Sequence, residues 1–197
     1  MEFVDFQRLV GETRSTRRFK EGSNVPVGML RDLVDLARLT PSSRNLQALK
    51  FVLVNEPMAR QDLFSCLSWA RDLPEWGGPA PAERPAAYIV ILGDKRIRED
   101  FGCDHGIAAQ TMMLGARTLG LSGCLLASVD RDRLRERFAI AGHFVILLVM
   151  AIGAPAETVQ IEEMPQSGDI RYWRDAEGVH HVPKRSIEEL IAGEYVI

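Results

Sequence analysis

What the 197 residues lack narrows the field first. Cysteine is scarce. Cys66, Cys103 and Cys124 are odd in number and widely spaced, which matches neither a disulfide framework nor a zinc site. Reduced thiols, and with them a cytoplasmic setting, are the expectation. No apolar run is long enough to cross a bilayer; the longest, residues 144–152, has the length of a buried strand. The chain starts Met1-Glu2-Phe3-Val4-Asp5, with acids where a signal peptide carries bases. A net charge of −3 gives no reason to expect nucleic acid as a partner, so basic residues matter only where they cluster. There is no Gly-x-Gly-x-x-Gly, no P-loop and no Gly-x-Ser-x-Gly, so neither a dinucleotide fold, a nucleoside-triphosphate site nor a serine hydrolase is indicated. His180 and His181 would face opposite sides of a strand and cannot share one ion, so no metal is expected.

What is present reads as one globular domain over residues 1–197, with 46% hydrophobic and 26% charged residues. Phe3, Phe6, Leu9 and Val10 predict a short amphipathic helix ending near Gly11. Leu30, Leu33, Val34 and Ala37 predict a second, with Pro26 near its start and Pro41 beyond its end. Strands are expected at residues 50–55, 88–92, 124–128 and 144–152, the last of them central. Asn55 and Pro57 are placed to cap and begin a helix reaching about Cys66, and Asp130 to cap another at 131–138. The stretch 104–119 is apolar nearly all round and rich in small residues, which predicts a helix buried on all sides and packed against a partner subunit. Residues 171–174 and 178–182 suit a hairpin, and Ser186 and Glu189 have capping-box spacing. Residues 68–85 hold Trp69, Trp76 and four prolines, Pro74 among them, and read as a long lid-like loop.

One stretch stands out: Arg14-Ser15-Thr16-Arg17-Arg18-Phe19, between two helices. It reads either as a solvated turn or as a seat for a small anion, because guanidinium forks and hydroxyls both suit phosphate oxygens. Lys184-Arg185, just ahead of a helix start, makes a second anion-favouring end. Pro41-Ser42-Ser43-Arg44-Asn45-Leu46-Gln47 is a polar turn rich in donors and acceptors.

These segments resemble the FMN-dependent nitroreductase family. Arg14 to Phe19 is similar to its Arg-Arg-Ser-x-Arg-x-Phe signature, and Pro41 to Gln47 to its Pro-Ser-x-x-Asn-x-Gln turn. Leu119-Gly120-Leu121-Ser122-Gly123-Cys124 is similar to the segment leading into its flavin-contacting strand, and Lys184-Arg185 to its basic pair before the last helix. The matches span nearly the whole chain in the family's order. The resemblance implies an α+β fold, a mostly antiparallel sheet flanked by helices, in an intertwined homodimer with FMN at the interface. It implies that Arg14, Ser15, Thr16, Lys184 and Arg185 hold the phosphate and ribityl chain. Arg17 would tune the pyrimidine edge of the flavin. Pro41, Ser42, Ser43 and Asn45, contributed by the partner, would line the ring, and Leu125, Leu126, Ala127 and Ser128 would meet it through backbone groups. Trp69 and Trp76 would shape the pocket of a small-molecule substrate, and Arg18 would be a solvated charge. The flavin itself, at N5, would carry electrons from NAD(P)H to a nitroaromatic or quinone by a ping-pong route, with no catalytic side chain; a non-catalytic flavin store or sensor is the alternative. The chain departs from the family pattern at Thr13, where an arginine is common, and at Ala48, where proline is.

Overall fold

The computed structural model describes residues 2–70, 72–73 and 75–195; Met1, Arg71, Pro74 and the last two positions of the expected domain lie outside the described residues. Helix α1 (Phe3–Glu12) and helix α2 (Val27–Arg38) come first, followed by a single 3-10 turn at Ser43–Asn45. Strand β1 (Leu49–Val54), helix α3 (Pro57–Phe64) and a second 3-10 turn at Pro81–Glu83 lead to strand β2 (Ala87–Asp94). Helix α4 (Asp104–Thr118), strand β3 (Ser122–Leu126), helix α5 (Arg131–Arg137) and strand β4 (Phe144–Gly153) follow. Strands β5 (Val159–Glu163), β6 (Trp173–Arg174) and β7 (His180–Lys184) and helix α6 (Ile187–Leu190) complete the order.

The main sheet runs β1-β2-β4-β3 and is antiparallel throughout, so the fold is α+β. All eight residues of β2 are buried, and their side chains alternate between two cores. Ile89, Ile91, Met150 and Ile152 pack with α2 and α4 on one face. Tyr88, Val90, Val149 and Ala151 pack with Phe19, Leu63 of α3 and Leu134 of α5 on the other. Such burial on both faces explains the near-continuous apolar runs of the two central strands. Gly115 of α4 leaves the space that Leu33 and Leu36 of α2 fill, which sets how closely these helices approach.

Several boundaries differ from the sequence reading. The cap of α3 is Glu56, whose carboxylate accepts from Met58 N–H at 3.0 Å and Ala59 N–H at 2.7 Å. Asn55 instead donates its amide to the Val25 carbonyl. Strand β3 begins and ends two residues earlier than expected, because beyond Leu126 the chain leaves β4 and Val129 bridges Leu67. Within one chain α4 is not buried on all sides: Gly106, Ile107 and Gln110 are exposed, while Ala108, Ala109 and Met112 are buried. The expected hairpin at 171–182 is present as β6 and β7, but β7 also pairs in parallel with β5.

This second, three-stranded sheet is fastened by His181. Its Nδ1 lies 2.6 Å from Glu162 of β5 and its Nε2 lies 2.9 Å from Asp175, while its ring stacks on Trp173 at 4.9 Å. Hydrogen bonds to Asp175 and Glu162 raise its pKa above 6.5. The contribution is therefore complete below 6.5, the unfolded value, and is lost as pH rises through the folded one. Thermal unfolding followed from pH 6 upward is expected to show this decline in the native chain and to lose it in His181→Gln; matching profiles would refute the clamp.

Candidate functional site

The basic stretch is not a solvated turn. It leaves α1 and runs extended along the outer edge of β3: Ser15 bridges Gly123 in parallel, and Thr16 N–H donates to the Gly123 carbonyl at 2.8 Å. No Cβ fits at residue 123, since it would stand 2.7 Å from the Ala151 carbonyl oxygen and 2.9 Å from Met113 Sδ. Extended backbone sends alternate side chains to opposite sides. Ser15 and Arg17 line a cleft together with Thr13 and Arg14. The Thr16 hydroxyl points inward and lies 2.6 Å from the Ser122 hydroxyl, buried. Arg18 turns away from the cleft to Glu83, at 3.5 Å, and sits 5.9 Å over Trp76, so it is paired rather than merely solvated.

Arg14 reaches the cleft by a different device. Its Nε–H donates to the Thr13 carbonyl at 2.7 Å and a terminal N–H to the Val10 carbonyl at 3.1 Å. The guanidinium thus satisfies carbonyls at the end of α1 and adds positive charge where the helix dipole is negative. Lys184, the last residue of β7, lines the same cleft, which encloses about 290 Å³. Three cations face it, and no carboxylate among the described residues does. A second cavity of about 510 Å³ shares Arg17, Leu125 and Tyr172 with the first, and adds Trp69, Leu126, Ala127 and Ser128. Strand β3 is the edge of the sheet, so beyond Gly123 its outward N–H and C=O groups border this space rather than a neighbouring strand.

The position of Arg17 is set by residues that no local pattern marks. The Glu157 carboxylate, 1% exposed, accepts from the backbone N–H of Arg17 and of Arg18 and from the Arg174 guanidinium at 2.7 Å. Arg17 donates to His180 Nε2 at 3.1 Å and lies 4.8 Å over the Tyr172 ring. Arginine can only donate, so His180 Nε2 accepts and the neutral ring carries its proton on Nδ1. Burial, reinforced by Arg17, lowers the His180 pKa to about 4, which keeps that acceptor available at neutral pH. Burial also pushes the Cys124 thiol up, against the pull of Arg17, so it is no thiolate nucleophile.

Of the residues expected at the site, Arg14, Ser15, Arg17, Leu125 and Lys184 meet in the first cleft, and Trp69 with Leu125, Leu126, Ala127 and Ser128 in the second. Arg185 is drawn to Glu189, 2.8 Å away on α6. Trp76 lies under Arg174 at 4.9 Å and does not line either cavity. Pro41 and Ser42 line a third cavity, of about 280 Å³, that shares no lining residue with the other two. Ser43 and Asn45 belong to the same turn, which Asp104 anchors by accepting from Ser43 N–H at 3.0 Å. Arg44, Asn45 and Gln47 all adopt positive φ there, a left-handed conformation uncommon for residues other than glycine. Glu157 and His180 could not be read as site residues from sequence, since they lie 140 and 163 positions from Arg17.

The chain thus combines an antiparallel sheet, in an α+β fold, with a cation-lined cleft at the sheet's free edge. A sequence model described as the nitroreductase family matches residues 10–154, and the chain belongs to that family. A putative NAD(P)H nitroreductase from Bacillus subtilis, MhqN, is 23% identical, over 76% of this chain and 88% of that one. A nitroreductase family protein from Clostridium difficile 630 shares the fold with a TM-score of 0.68 at 20% identity, over 100% of both chains. An FMN-dependent nitroreductase from Clostridium difficile R20291 does so with a TM-score of 0.63 at 24% identity, over 75% of this chain and 86% of that one. Oxidoreductase chemistry is the class of activity that follows.

Removing the charge of Glu157 leaves Arg174 without its buried partner. Glu157→Gln is expected to cost roughly 2–4 kcal/mol in chemical denaturation. A loss below about 0.5 kcal/mol would show that the carboxylate does not organise this region.

Proposed function

We propose that the chain binds FMN along the free edge of β3 and works as an NAD(P)H-dependent oxidoreductase on small flat acceptors. The observation that carries this reading is the convergence of Arg14, Arg17 and Lys184 on one cleft without a carboxylate. Arg14 and Lys184 suit a phosphate, Arg17 stands between them and the adjoining cavity, and that cavity, bordered by strand-edge backbone and Trp69, fits a planar ring. When bound, FMN supplies the redox step, a hydride taken from NAD(P)H and electrons returned to an acceptor such as a nitroaromatic or quinone in ping-pong order. The residues of this chain bind, orient and polarise. Arg14, Ser15 and Lys184 hold the phosphate end. Arg17, fixed by His180, Tyr172 and Glu157, sets a cation at the pyrimidine edge, where it favours uptake of negative charge. Backbone groups of Leu125, Leu126, Ala127 and Ser128 run beside the ring, and Trp69 walls the acceptor's side. Thr16 and Arg185 support this arrangement from outside the cleft, Thr16 through Ser122 and Arg185 through α6.

The reading includes a second copy of the chain. Pro41, Ser42, Ser43 and Asn45 lie apart from the Arg14 cleft of their own chain, so they would serve the cleft of a partner in an intertwined homodimer. Two exposed features support such an assembly. Helix α1 exposes Phe3 and Val4, at 74% and 68%. A shallow groove along the exposed side of α4 shares Gln110 with the cleft. Use of NAD(P)H also suits the cytoplasm.

Purified protein is expected to show flavin absorption bands that bleach when NADH or NADPH is added without oxygen. Bands that persist with both nucleotides would contradict the oxidoreductase reading. Arg14→Ala is expected to weaken FMN by about 10–100-fold, the loss of one charged hydrogen-bonding group. An unchanged dissociation constant would contradict the placement of the phosphate.

A further inference from the structure

The geometry points to a second anion site, for a phosphate-like oxyanion, between α3 and the segment that enters β2. A cavity of about 200 Å³ lies there, and it shares no lining residue with the Arg14 cleft or its neighbour. Pro57, Arg60, Gln61 and Phe64 line it, which is one face of α3 at spacings of three, four and seven. Leu63, on the adjoining side of that helix, packs into the core. A helix face turned to a partly enclosed space would ordinarily be apolar, yet this one offers a guanidinium and an amide. Arg84, from the other wall, adds a second guanidinium, and Tyr88 of β2 closes the floor.

Among the described residues both arginines lack acidic partners. No carboxylate among the described residues lines the cavity, and neither Arg60 nor Arg84 forms an ion pair among them. The Nε of each is buried and meets no acceptor there. The acids nearest in sequence are engaged elsewhere. Asp62 pairs with Arg137 at 3.2 Å, Glu56 accepts from the first N–H groups of α3, and Glu83 pairs with Arg18 and accepts from Ala80 N–H. Two like charges held around a small cavity repel each other, and an oxyanion converts that repulsion into charge-assisted hydrogen bonds. Arg84 is already oriented, with its guanidinium carbon 4.0 Å above the Phe64 ring. Stacking occupies the face of a guanidinium and leaves the in-plane donors for an acceptor. Burial raises the Tyr88 pKa, so its phenol stays protonated and able to donate, and it lines the same cavity as Arg60 and Arg84. Pro81 and Pro85 stiffen the wall that carries Arg84. Two guanidiniums, a phenol and an amide around one small space suit a tetrahedral dianion better than a single planar carboxylate, for which one fork suffices.

The shared chemistry is a phosphoryl group, either as the free ion or on a nucleotide. The test is calorimetric titration of FMN-saturated protein with inorganic phosphate in low-salt buffer. One site per chain is expected, weakened at least about tenfold by Arg60→Gln or Arg84→Gln and unaffected by Lys184→Gln. Tyr88→Phe keeps the ring and removes only the hydroxyl; it is expected to weaken binding severalfold and serves if an arginine variant does not fold. Adenosine 2′-monophosphate binding more tightly than phosphate through these same residues assigns the site to a nucleotide phosphoryl group, and equal or weaker binding assigns it to the free ion. Absence of saturable phosphate binding in the native chain would overturn the proposal, as would equal affinity in the Arg60, Arg84 and Tyr88 variants.

Discussion

A nearly solvent-free carboxylate anchors the region that matters most. Glu157 stands just beyond the central strand β4, where it gathers the backbone of Arg17 and Arg18 and the side chain of Arg174 from β6. A lone buried charge would be costly, and this one is tolerated because its oxygens meet charged or polarised donors. The contact joins the two sheets and fixes the register of the basic stretch. From that register the rest follows: Ser15 and Arg17 face the cleft, Thr16 faces the core, and Arg18 reaches Glu83.

The antiparallel sheet contributes an open edge at the right place. Sheet edges are usually protected because their unpaired backbone groups invite association. Here Ser15 and Thr16 cover β3 only as far as Gly123. The groups beyond remain beside a cavity walled by Trp69 and Tyr172. A flat ligand with polar edges would use them as a neighbouring strand does. The cations at Arg14 and Lys184 then stand at one end of the same trough, where a phosphate tail would end.

Much of this was legible in the sequence, and the limits have physical causes. Helical periodicity placed α2, and near-continuous apolar composition placed α4, β2 and β4, because each buries one face or both. Arg14 and Lys184, far apart in the chain, were joined only through a resemblance between ordered motifs. The inward turn of Thr16 follows from strand alternation, but only once residues 14–19 are known to be extended rather than turned. Arg185 looked equivalent to Lys184, yet Glu189 four residues on captures it. Glu157 and His180 act across 140 and 163 positions, and nothing local distinguishes them from surface residues. The exposed side of α4 was read as buried because its composition matches burial, and composition does not say which side of a helix meets the core.

The central claim is that the end of the cleft at Arg14 and Lys184 is built for the phosphate of a flavin mononucleotide. Titration of the flavin-free protein with FMN and with riboflavin, which lacks only the phosphate, tests it most directly. FMN is expected to bind tighter by about a hundredfold or more, because charge-assisted bonds to one phosphate contribute several kcal/mol together. The advantage is expected to shrink as salt is raised. Equal affinity for the two flavins would contradict the claim.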